Sequence, residues 1–254
     1  MITELTITDI TRMSPGFICV AGIDNSGATI RAQYRSHRIT DSWCRVNGHN
    51  IKPFSRVALD LEAPRPMAPH TEDWHINDET PRILGECSIA EKKRILMESC
   101  HPDVASIFGA EIQHVDGEGT FILSGSGCRS LGTIHAQRVF DFQHRLFSGR
   151  WDYRVHLVDQ SGSEYRLKIV DLSFQTFIDH LRICHNASSE KIEAVCNNKL
   201  ISNRQTYLRI GLARGWANYP DRCYLQITGI YTFPDYLENH CFQDYQHEID
   251  AFAG

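Results

Sequence analysis

Asp24-Asn25-Ser26-Gly27-Ala28-Thr29-Ile30-Arg31 returns as Asp159-Gln160-Ser161-Gly162-Ser163-Glu164-Tyr165-Arg166, and an alternating apolar and polar run leads into each copy. Asp opens a turn, Gly supplies the positive φ that a tight hairpin needs, and Arg emerges on the returning strand. Val20 matches Val155 and Ile23 matches Val158. The chain reads as two copies of one β unit.

Outward from the first copy, Leu5 to Ile10, Phe17 to Ile23, Thr29 to Tyr34 and Arg56 to Leu61 read as short strands. The segment Ala63-Pro64-Arg65-Pro66-Met67-Ala68-Pro69 carries three prolines, which remove donors and fix φ, so it is a connector or rigid loop. Ser88 with Glu91 forms a capping-box signature ahead of a helix inserted between strands. Glu111 to Val115, Thr120 to Leu123 and Thr133 to Phe140 resume the strands and are expected to close the first unit.

The second unit is expected to begin with Asp152 to Val158 and Glu164 to Val170, joined to the first near residues 147–152. Ser173 then caps a helix whose Phe174, Phe177, Ile178 and Leu181 share one face. A further helix from Ser189 to about Cys196 precedes strands at Thr206 to Leu212 and Cys223 to Phe233. The expectation is a mainly β, β-rich α+β chain of two OB-like small barrels in tandem with a few inserted helices. Residues 1–148 would form the first, with a Pro-rich loop and helical insertion at about 63–108, and residues 150–254 the second. Five or so strands around one helix suit an OB-fold and equally an SH3-like barrel, and spacing does not choose between them.

The 254 residues carry a net charge of −5, which argues against a uniformly basic coat. The charge is uneven: residues 235–254 hold five acids and no Lys or Arg, so the remainder is neutral and the end reads as an acidic tail able to compete for cationic sites. Twenty of the 26 basic residues are Arg, which favours planar, bidentate contacts to carboxylate or phosphate. Nine cysteines without a C-x-x-C pair point to reduced thiols rather than a disulfide framework or zinc ribbon. With no leader pattern and no long apolar span, a soluble cytoplasmic protein without membrane contact is expected.

Phe17-Ile18-Cys19-Val20-Ala21-Gly22-Ile23-Asp24 through Ile30-Arg31, Pro69-His70-Thr71-Glu72-Asp73-Trp74, Gly127-Cys128-Arg129-Ser130-Leu131-Gly132-Thr133-Ile134, and Leu208 to Leu212 with Tyr224 to Phe233 carry a resemblance over nearly the whole chain. Together they resemble the dual OB-containing domain family of bacterial conflict and DNA-processing or DNA-modification gene islands. The first stretch departs from the pattern, continuing as Ala32-Gln33-Tyr34 instead of an Arg-Pro pair. The resemblance implies two OB-like barrels and a nucleic-acid connection, in a defence or restriction-modification setting. As a binding module the chain is expected to take DNA or RNA, single-stranded or locally opened, and to present it to a partner ATPase, helicase or nuclease.

Arg31, Tyr34, Arg35, Arg38 and Trp43 interleave cations with flat rings, the combination that grips a phosphate backbone while bases stack. As one flat strand it would split between two faces, so it must bend into a loop. A second cluster, Arg204, Tyr207, Arg209, Arg214, Trp216 and Arg222, brackets the penultimate hairpin. The loop Ser124-Gly125-Ser126-Gly127-Cys128-Arg129 can present backbone N–H groups to an anion beside Arg129, without the lysine of a Walker loop.

Three functions fit these residues. The first is a nucleic-acid-binding module presenting a strand or modified base to partner enzymes. The second is an enzyme altering a base in DNA, by nitrile or amide chemistry on a modified guanine, with Cys128 as nucleophile and His70, Glu72 or Asp73 moving protons. The third is a protein-interaction scaffold. No metal site and no cofactor are expected; His70-Thr71-Glu72-Asp73 lacks a completed zinc spacing, and His180 with Cys184 and His185 reads as solvated or packed side chains. The enzyme requires His70, Glu72 or Asp73 to meet Cys128 in one pocket, whereas the binder requires a continuous surface of Arg and aromatic groups.

Overall fold

The computed structural model describes residues 1–77, 81–147, 149–201 and 205–253. Five strands form the first barrel: β1 (Ile2–Ser14), β2 (Phe17–Asp24), β3 (Thr29–Gln33), β4 (Ser55–Pro64) and β5 (Asp73–Ile76). Their order is β1-β2-β3-β5-β4, and β4 pairs back onto β1, so the sheet closes. The β3–β5 pair is parallel and the others antiparallel, which is the OB arrangement. Leu5, Ile7, Val20, Ile30, Val57 and Leu61 alternate inward to fill it.

A short β6 (Arg82–Glu86) pairs on the outside of β4 and leads into α1 (Ile89–Glu98). The expected capping box is present: Ser88 Oγ accepts from Glu91 N and the Glu91 carboxylate accepts from Ser88 N. Leu96 of α1 packs with Phe54 from the first barrel and Tyr207 from the second, so the inserted helix fills the seam between them. The hairpin β7 (Gln113–Val115) and β8 (Gly119–Leu123) follows.

The second barrel is built from β9 (Leu131–His135), β10 (Arg138–Phe147), β11 (Arg150–Val158), β12 (Glu164–Ile169), β13 (Gln205–Leu212) and β14 (Arg222–Phe233). The run 131–147 bends once: β9 pairs with β13 and β10 with β11, so one bent run closes the barrel on both sides. With β12–β14 parallel and β13–β14 antiparallel, the second unit repeats the first in topology. Helices α2 (Leu172–Cys184) and α3 (Ser189–Ile201) fill the connection from β12 to β13.

The repeated octave occupies the same place in both. Asp24 Oδ1 accepts from Ser26 N and Ala28 N, and Asp159 Oδ1 accepts from Ser161 N and Ser163 N, so each aspartate closes its hairpin with its own carboxylate. Gly27 and Gly162 sit at φ of +85° and +84°. The register is the same: Ile23 faces Thr29, and Val158 faces Glu164.

Three sequence expectations change. Thr133–Phe140 pairs within the second barrel, because the run's inward residues Ile134 and Val139 complete that core, so it does not close the first unit. Phe147 pairs with Arg150, so the strands on either side of the expected junction belong to one antiparallel pair. Helix α2 is capped by Asp171, whose carboxylate accepts from Ser173 N and Phe174 N; Ser173 is already inside the helix. The acidic tail also acquires a structure: α4 (Phe242–Ala253) packs on α2, buries Phe242 in the first core, and Gln243 donates to the carbonyls of Cys44 and Ile51.

Candidate functional site

Seven of the nine binding candidates lie in three different settings. Arg31 is buried, 6% exposed, and its guanidinium pairs with Asp73 across the parallel β3–β5 register at 2.6 Å. Arg209, 1% exposed, donates to Asp9 at 2.9–3.0 Å and to Thr133 Oγ1 at 3.0 Å, while Thr228 Oγ1 donates to the same aspartate at 2.5 Å. Trp43 lies in the first core. These three are removed from solvent, where no ligand reaches them. Arg35 and Arg38 are exposed, on a loop that does bend away after Gln33; Arg35 pairs with Glu62 and Arg38 lies over the Phe17 ring. Half-buried Tyr34 stacks on His37 in the same loop. Arg129 is exposed and contacts His101.

The remaining two, Arg214 and Trp216, sit on the loop between β13 and β14. Arg214 reaches across to Asp73. Trp216 is 52% exposed and meets Tyr219 edge-on. Arg222 lies between the rings of Tyr219 and Phe121, 4.6 and 4.5 Å from their centroids, and pairs with Glu118. Arg204 lies outside the described residues.

The catalytic candidates do share one seam, since Thr71 Oγ1 donates to Cys128 O at 2.7 Å. Their polar groups are already committed. The Glu72 carboxylate accepts from Ser130 N, Ser130 Oγ and Leu131 N, anchoring the start of β9. Asp73 holds Arg31 and Arg214. Burial and the charges of Arg31 and Arg214 depress the His70 imidazole to about 3, and its Nε2 lies 3.9 Å from the buried Cys223 thiol. Cys128 is exposed, its Sγ 3.5 Å from the Phe108 carbonyl. These groups stitch the two barrels together.

What sequence reading missed is the outer sheet of the second barrel. The register places Phe140, His156 and Arg166 in one row and Gln143, Arg154, Lys168 and Gln226 in the next. Arg138, Arg145 and Arg150 are exposed on the same face, whose hairpin tip carries Phe147 at 75% exposure. Arg138 lies 4.5 Å from the Phe140 ring centroid, and Asp152 pairs with Arg154 and Lys168. Arg166 donates to Gln143. The signal was present as single cations at alternate positions of two strands, which becomes a patch only when those strands are aligned side by side.

The matching face of the first barrel is closed. Arg31 and Ala21 stand where Arg166 and His156 stand in the second, and both are buried beside Asp73, onto which Arg214 leans.

A family model described as a dual OB-containing domain matches residues 9–230. No curated protein matches the chain. Among solved structures, a replication protein A heterotrimer bound to ssDNA is similar at a TM-score of 0.34 and 12% identity, over 90% of this chain and 48% of that one. This chain thus spans about half of that longer one.

Proposed function

We infer the function of this chain from its membership of a family, the dual OB-containing domain family, to which it belongs, and from the one barrel face left open. The second barrel binds a nucleic-acid strand across β11 and β12, between the 147–150 hairpin and the 213–221 loop. In OB barrels the face of the second and third strands and the loops at its ends are where oligonucleotides lie. The observation that carries this reading is the register of half-buried Arg154 with exposed Arg166 and Lys168, with Phe147 and Trp216 available for stacking at its margins. Cations track the phosphates while rings take bases, which suits a single or locally opened strand. The first barrel acts as the support, its own face sealed.

The finer context is carried over from the sequence reading: a cytoplasmic protein of a bacterial defence or DNA-modification system, presenting a strand to an ATPase, helicase or nuclease. We put the division of the chain in the 77–130 connection, a reading that the strand pairing on either side supports. The test is fluorescence anisotropy of labelled oligo(dT) and oligo(U) over a range of salt. Binding that weakens as salt rises, and that Arg166→Ala with Lys168→Ala weakens further, is expected. Absent or salt-independent binding at micromolar protein overturns the reading.

A further inference from the structure

A cavity of about 700 Å³ opens on another side of the molecule, where the first barrel, α1 and the end of β14 meet. Its volume falls within the roughly 300–1,000 Å³ of small-molecule sites. Phe54, Tyr231 and Phe233 give it an aromatic wall. Lys52, Lys92 and Lys93 also line it, with Lys92 Nζ 5.5 Å from the Phe54 ring centroid and Lys93 Nζ 4.9 Å from that of Phe233.

Four acids line the same cavity, two held in ion pairs and two by backbone N–H groups. Glu86 pairs with Lys52 at 3.1 Å. Asp171 accepts from the N–H groups of Ser173, Phe174 and Ile230, and Asp235 from those of Leu237 and Asn239. Glu238 pairs with Lys199 at 2.7 Å. The ion pairs among the described residues include neither Lys92 nor Lys93, so these two ammonium groups face the cavity without a carboxylate partner. Adjacent ammonium groups above an aromatic surface suit a phosphate attached to a flat ring.

We propose that this cavity binds a small organic anion of nucleotide chemistry, its phosphate at Lys92 and Lys93 and its ring against Phe54, Tyr231 and Phe233. The site is separate from the outer sheet of the second barrel and does not depend on it.

Calorimetric titration of the full chain with AMP, GMP, CMP and UMP, and with adenosine and inorganic phosphate alone, tests this. At least one nucleotide is expected to bind with Kd on the order of 100 μM, and adenosine and phosphate each at least about tenfold more weakly. Lys92→Ala with Lys93→Ala should weaken the nucleotide at least about tenfold, while Lys92→Arg with Lys93→Arg retains it. Oligonucleotide binding and thermal unfolding should be unchanged in the alanine chain. No nucleotide binding, phosphate binding as tightly as the nucleotide, or an affinity unmoved by the alanine pair overturns the proposal. So does loss of nucleotide binding in Arg166→Ala with Lys168→Ala, which would move the ligand to the outer sheet.

Discussion

Arg31 and Arg166 are the same residue of a repeated unit in opposite environments: one faces Ala21 and is buried against Asp73, the other faces His156 and is exposed. Arg214, far away in the chain, pairs with the same Asp73, so one aspartate holds both arginines at the first sheet. Each arginine should therefore answer to a different measurement.

Arg166→Ala with Lys168→Ala should lower oligonucleotide affinity and reduce the slope of log K against log salt by about 1.4, at roughly 0.7 per phosphate contact on a single strand. Arg35→Ala with Arg38→Ala should change the slope less, because Arg35 is already paired with Glu62 and neither lies on the β11–β12 face. Anisotropy titrations at several salt concentrations read both.

Trp216→Ala should weaken strand binding by about 1–3 kcal/mol if one base stacks there. Its unfolding midpoint should stay put, since the ring is half exposed and outside the cores. Quenching of tryptophan emission on adding oligonucleotide, lost in the variant, is the second reading.

Arg209→Ala strands the buried Asp9 carboxylate between the barrels and should cost about 3–5 kcal/mol in urea unfolding. Replacing both partners with apolar residues, Asp9→Leu with Arg209→Met, should recover much of that loss, because no buried charge is then left unpaired.

His70 is held neutral in the folded protein down to about pH 3, whereas in the unfolded chain it takes up a proton near 6.5. Between those values the unfolded state binds more protons, so stability falls as pH falls, by about 1.4 kcal/mol per pH unit for one proton. His70→Gln should have a shallower stability profile than the parent between pH 4 and 6, measured by urea unfolding, with the two converging in slope above pH 7.

Cys128 is the one exposed thiol among nine, so a maleimide should label it first. Exposure accounts for this without an activated thiolate, and Cys128→Ala should retain both fold and strand binding. Loss of a base-modifying activity in that variant would instead support the enzyme reading.

The two β units, their hairpins and the capped helix were legible in the sequence because turn chemistry, alternation and capping act over a few residues. Asp24 and Asp159 close their turns with neighbours two and four positions away, and Ser88 with Glu91 does the same at α1. Which strand completes which barrel was decided only in the tertiary structure, because Leu131–His135 reads as an ordinary strand until β13 pairs with it. The same holds for the site. Arg31, Arg209 and Trp43 carry the residue types of a binding surface, but whether a side chain meets solvent or a buried partner depends on packing between segments as distant as Asp9 and Arg209.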